Sequence, residues 1–116
     1  IDMFDCVIPT RYARSASVFT SRGRIRLTNR RYRRDGYPID PSCDCEACSA
    51  GATRAYLHHL FAANEVLSAT LCAIHNVHFY TRLMERAREA VLAGAYDEFR
   101  REFLAGYQGD AAAARD

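Results

Sequence analysis

Lysine is absent from the 116 residues, so all 16 basic side chains are arginines. Every cation is therefore a planar guanidinium, a group suited to two-pronged contacts with phosphate. Long apolar runs are missing too. None reaches the roughly 18 residues of a membrane-crossing helix, so a membrane partner is not expected. No stretch reads as the basic-then-apolar leader of a secreted protein. Disorder is also a poor description: 49% of the chain is hydrophobic and 26% charged, which is too apolar for an unfolded segment. The length suits one domain. Ile1 opens an apolar stretch that looks interrupted, and the expectation is a piece of a longer protein whose N-terminal part lies outside this sequence.

The charge that is present is unevenly spread. Residues 1–42 hold nine arginines against four acids, a surplus of five, whereas residues 43–116 hold seven arginines against ten acids. A basic first part points to a polyanionic partner.

Five cysteines make an odd count, and three of them fall within Cys43-Asp44-Cys45-Glu46-Ala47-Cys48. That is too tight for ordinary disulfide pairing, so metal binding in a reducing cytoplasm is the better reading. Three thiolates and one imidazole make the closed tetrahedral shell of a structural zinc ion, with no position left for a reactive water. Spacing does not choose the histidine. His75 follows Cys48 by 27 residues on a helical stretch, His58 and His59 lie within an earlier helix, and His78 is one turn beyond His75. Cys72 reads as a small buried hydrophobe. The bland alternative is three buried free cysteines and an unrelated histidine.

Residues 1–8 read as a short buried strand ended by Pro9, which cannot donate to a sheet ladder. Asp5 and Cys6 then lie near the strand end where α/β folds place their chemistry. Residues 11–15 look like a polar loop. Residues 17–20 and 24–28 read as a hairpin around Ser21-Arg22-Gly23, with Gly23 supplying positive φ. A basic run at 29–34 and the rigid Pro38-Ile39-Asp40-Pro41 lead to the cysteines. Beyond them, apolar spacing predicts a helix over 53–67, a connection at 68–74, a second helix from about His75 stopped by Gly94, and a third over 96–106. The alanine-rich tail 111–114 is expected to fray.

Several blocks in this order resemble the tRNA-guanine transglycosylases, and the bacterial queuine-type branch fits best. They are Asp2-Met3-Phe4-Asp5-Cys6-Val7; Pro9-Thr10-Arg11 with Ala13-Arg14; Phe19-Thr20, Gly23 and Ile25; Pro38-Ile39-Asp40 with Cys43, Cys45 and Cys48; Arg54-Ala55-Tyr56-Leu57-His58-His59-Leu60; and Ile74-His75-Asn76 with His78-Phe79-Tyr80. The resemblance implies an α/β fold: the C-terminal end of a (β/α)8 TIM barrel plus a zinc-binding subdomain with a small hairpin and helices. Residues 1–16 would be the last part of the barrel, 17–48 the hairpin, basic segment and knuckle, and 49–116 the helical part.

The activity so implied exchanges guanine at the tRNA wobble position for a 7-deazaguanine base. By position, Asp5 matches the family's nucleophile, Arg11 and Arg14 its anticodon-loop arginines, and Cys43, Cys45, Cys48 and His75 its zinc ligands. Partners would be tRNA, the deazaguanine base and, in the full-length protein, a second copy. Tyr12 stands where a smaller or polar residue is usual, and Ala50-Gly51-Ala52 looks like a slightly lengthened loop. The isolated chain is expected to be inactive, because the base-gripping residues lie upstream in the family. Without the resemblance, Asp5 reads as a cap or ion-pair partner, and the other arginines of residues 22–34 as surface charge or an extended phosphate footprint. The rival reading is a non-catalytic zinc-stapled module for RNA binding or dimerisation.

Overall fold

The computed structural model describes residues 3 and 5–107. The elements, in order, are α1 (Ile8–Arg14), β1 (Ser17–Thr20), β2 (Gly23–Arg26), a 3-10 turn (Arg30–Tyr32), α2 (Glu46–Ser49), α3 (Arg54–Ala62), α4 (Val66–Leu92) and α5 (Tyr96–Gly106). This is an α/β arrangement in which one two-stranded antiparallel sheet packs with α1 against the long helix α4. None of the described helices is long and apolar enough to cross a membrane.

The first element departs from the sequence reading. Of the strand expected over residues 1–8, Ile1, Asp2 and Phe4 lie outside the described residues. Met3 and Asp5 to Val7 belong to no strand, and Ile8 begins a helix. A strand needs neighbours to satisfy its ladder, and none of the described residues pairs with this segment. The polar loop expected at 11–15 is the body of α1. Pro9 sits in the first turn of that helix, where its fixed φ fits and its missing N–H costs nothing. The Arg11 N–H donates to the Val7 carbonyl at 2.9 Å to close the turn. Arg11 and Arg14 occupy the last turn, the end that favours cations. The helix buries Ala13.

The hairpin forms as expected, with Ser17 opposite Arg26 and Thr20 opposite Gly23. Its turn is Ser21-Arg22, and Gly23 opens β2 at φ 134°. The Thr20 hydroxyl donates to the Gly23 carbonyl at 2.6 Å and accepts from the Arg22 N–H at 3.2 Å. The second strand stops at Arg26 rather than Thr28, because the Asn29 N–H turns back to the Arg26 carbonyl.

The helical half is divided differently from the expectation. α3 ends at Ala62, five residues short of Leu67. Asn64 follows in the left-handed region at φ 57°. The Asn64 N–H bonds the Phe61 carbonyl and the Glu65 N–H the Leu60 carbonyl, the paired bonds of a Schellman stop. α4 starts at once with Val66, so the connection expected at 68–74 is helix and His75 is the tenth residue of α4, not its beginning. Gly94 stops α4 as expected, at φ 69° with the Ala95 N–H on the Ala90 carbonyl at 2.8 Å. α5 spans the expected residues, and the tail 111–114 lies outside the described residues.

The core is small. Val18, Leu27, Ile39, Leu57 and Cys72 are fully buried, so buried polar ties carry much of the tertiary order. Asn76 on α4, also fully buried, accepts from the Phe19 N–H at 3.1 Å and donates to the Pro9 and Ser17 carbonyls at 3.0 Å each. One carboxamide thus joins α4 to both α1 and β1. Asp40 accepts from the Ser21 N–H at 2.8 Å, and from the N–H and hydroxyl of Ser42 at 3.1 and 2.8 Å. Burial resists its charge, but these donors outweigh burial and hold the carboxyl below its usual range.

Asn76→Ala removes three hydrogen bonds and strands the Phe19 N–H. It should cost on the order of 3 kcal/mol by urea unfolding of the zinc-loaded chain. Val77→Ala, at an exposed neighbour, should stay within about 0.5 kcal/mol.

Candidate metal centre and the surface beside it

The cysteine turn is shaped by its own backbone. The Cys43 N–H bonds the Asp40 backbone carbonyl, so the turn starts from the residue whose carboxylate holds the hairpin. The Cys43 sulfur accepts from the Cys45 N–H, and the Cys45 sulfur, capping α2, from the Cys48 N–H, both at 3.4 Å. Backbone donors aimed at sulfur favour thiolate.

From α4, His75 brings Nδ1 to 3.6, 3.6 and 3.5 Å from the sulfurs of Cys43, Cys45 and Cys48. All four ligand atoms lie within 4.8 Å of one another. A tetrahedral ion with zinc–sulfur bonds of about 2.3 Å and a zinc–nitrogen bond of about 2.0 Å sets sulfur and nitrogen about 3.5 Å apart. The donor set and its spacing therefore fit one structural zinc ion.

The other ring nitrogen fixes the tautomer. His75 Nε2 donates to the Phe19 carbonyl at 2.6 Å, which leaves the Nδ1 lone pair facing the sulfurs. Asn76, the next residue, holds the N–H of the same Phe19. Two adjacent α4 side chains thus grip both polar groups of one peptide residue in β1.

Without a cation the crowded ligand set shares protons among its members. Burial pushes the His75 imidazole toward neutrality, but its contacts with Cys45 and Cys48 and the Phe19 carbonyl outweigh this and raise its pKa to about 9. Burial raises the Cys45 thiol, yet His75 and the Cys48 N–H bring it down to about 6. Cys43 is pushed up by burial and by the neighbouring sulfurs. A bound dication would take the place of these protons and hold all three sulfurs as thiolates. Burial alone lifts Cys72 to about 12, leaving it an inert packing residue.

The other histidines are occupied elsewhere. His58 Nδ1 donates to the Leu27 carbonyl at 2.8 Å, and His78 Nε2 lies 2.8 Å from Asp44 Oδ1. His59 is exposed on α3. Asp5, Arg11 and Arg14 are all solvent-exposed, with the two arginines one turn apart on α1. Tyr12 between them stacks on Phe19, with ring centroids 5.7 Å apart, and the Arg24 guanidinium of the hairpin lies 4.7 Å from the centre of the Tyr12 ring.

Sequence reasoning missed three of these features: Asn76 as the tie between elements, Asp40 as the hub between hairpin and knuckle, and the Arg24–Tyr12–Phe19 stack. An asparagine in mid-helix beside a metal-ligand histidine is the one signal that pointed to Asn76.

His75→Ala should abolish stoichiometric zinc measured by elemental analysis after dialysis against a weak chelator. His58→Ala, His78→Ala and Cys72→Ala should each keep one zinc per chain. Retention by His75→Ala, or loss in His78→Ala alone, would contradict the ligand set.

The family profile described as queuine tRNA-ribosyltransferase matches residues 1–109. The chain is 51% identical over 110 residues to a queuine tRNA-ribosyltransferase of Pelotomaculum thermopropionicum, covering 95% of this chain and 30% of that protein. It is 48% identical over 108 residues to one from Francisella tularensis, covering 93% of the chain and 29% of the relative. It is 51% identical over 105 residues to one from Xanthomonas campestris, covering 90% and 28%. The chain therefore spans just under a third of the length of the curated relatives it matches. With the match running through the zinc ligands and nearly the whole chain, the protein belongs to the queuine tRNA-ribosyltransferase family.

Proposed function

We propose that this chain is the zinc-bearing end of an enzyme that exchanges guanine in tRNA for a 7-deazaguanine base, with Asp5 as nucleophile and Arg11 and Arg14 holding the anticodon loop. The observation that carries the reading is the continuous family match, which contains the Asp-Met-Phe-Asp-Cys block and the Cys3His cluster in one chain.

In this reading the Asp5 carboxylate attacks the anomeric carbon of the target ribose as the bond to guanine breaks. A covalent ribosyl ester forms, and the incoming base then displaces Asp5. Two displacements retain configuration, and a carboxylate suits the cationic, oxocarbenium-like centre. Guanidinium groups suit a splayed single-stranded loop, because they bind phosphates and stack on bases. The zinc ion is structural and takes no part in the chemistry.

The rest of a (β/α)8 barrel would be supplied by the remaining two-thirds of a full-length protein, with the segment around Asp5 pairing there as a strand. By itself the chain would be inactive. The full-length enzyme would be cytoplasmic and pair with a second copy.

Asp5→Asn in the full-length parent should reduce incorporation of labelled guanine into tRNA by at least about a thousandfold, with RNA affinity retained. Unchanged exchange would instead favour the non-catalytic RNA-binding reading.

A further inference from the structure

A second feature of the basic half is a groove of about 840 Å³ between the hairpin turn and the 3-10 turn. Arg22, Arg24, Arg31 and Arg54 line it, together with Tyr32 and Tyr37. Its two carboxylates are committed to the fold. Asp40 is saturated by Ser21 and Ser42. Asp35 pairs with Arg54 at 3.0 Å and accepts from the Tyr37 N–H at 2.9 Å. Arg54 also donates twice to the Ile39 carbonyl, so it serves as part of the wall. Guanidinium groups thus make up most of the charged lining, with Arg22 exposed and Arg31 lying 5.5 Å from the centre of the Tyr32 ring.

Tyr37 is 66% exposed at this groove, yet its backbone is fixed. Its N–H is held by Asp35, its carbonyl accepts from the Arg54 N–H at 2.8 Å, and the next residue, Pro38, bridges to Thr53. An exposed aromatic ring on a fixed backbone, beside arginines, is an arrangement on which an unpaired base stacks while its phosphates are neutralised. The groove is also continuous with the proposed catalytic surface. Arg24 lines it and at the same time stacks on Tyr12, which stands between Arg11 and Arg14 on α1.

We propose that this groove is a second RNA subsite, in which Arg22 and Arg31 contact backbone phosphates and Tyr37 stacks on a base, beside the nucleotides held at Arg11 and Arg14. The subsite rests on the transglycosylase reading only for the identity of the RNA. Its role is to lengthen the bound stretch, so it should act on affinity and leave the chemical step alone.

The test uses the full-length protein and an anticodon stem–loop RNA, with zinc content checked for each variant. The double variant Arg22→Ala/Arg31→Ala should weaken binding several-fold near 0.1 M salt. It should also reduce the slope of log affinity against log salt by about one to two, which is roughly 0.7–0.9 per phosphate contact. Tyr37→Ala should weaken binding about fivefold or more with the slope unchanged, and Tyr37→Phe should restore it. The kcat at saturating RNA should stay at the parent value in all of them. Unchanged affinity and salt slope in the groove variants would overturn the subsite. Arg11→Ala, measured alongside, reports separately on the first reading: if it weakens binding while the groove variants do not, the subsite alone falls.

Discussion

One imidazole is bonded at both ends, and the arrangement around it depends on that. His75 turns Nδ1 to three cysteine sulfurs and gives its Nε2 proton to the Phe19 carbonyl. The hairpin and the knuckle are separate segments, and each lies far in sequence from His75. A zinc ion on one side of the ring and a 2.6 Å hydrogen bond on the other tie both to α4. Asn76 doubles the attachment by holding the Phe19 N–H and reaching Pro9 in the first turn of α1. Metal binding is therefore also the placement of α1, the helix that carries Arg11 and Arg14.

The same framework explains how so much positive charge is displayed without a large core. Asp40 links the hairpin turn to the start of the knuckle, and Arg54 ties α3 to Asp35 and Ile39. These ties use acidic groups internally, while Arg11, Arg14, Arg22 and Arg26 stay exposed. The acid excess lies in the second part of the sequence, residues 43–116, where ten acids stand against seven arginines.

How much could be read in advance depended on how local the cause was. The zinc ligands were legible because thiolate chemistry demands clustered cysteines, although choosing His75 over His58, His59 and His78 needed the family resemblance. The hairpin, the Gly94 stop and α5 follow from neighbouring residues. Pro9 was ambiguous by nature: the missing N–H that ends a strand also suits the first turn of a helix. The start of α4 was missed because the Asn64 stop depends on a left-handed asparagine, which spacing of apolar residues does not show. The mid-helix Asn76 is a visible oddity in the sequence, but its partners lie 57, 59 and 67 positions away and could not be read there.

The most direct test of the account is zinc K-edge X-ray absorption on the purified, zinc-loaded protein. The account predicts a shell of three sulfurs at about 2.3 Å and one imidazole nitrogen at about 2.0–2.1 Å, with the nitrogen contribution lost in His75→Ala. A shell containing oxygen or two nitrogens, or one left unchanged by that substitution, would contradict it.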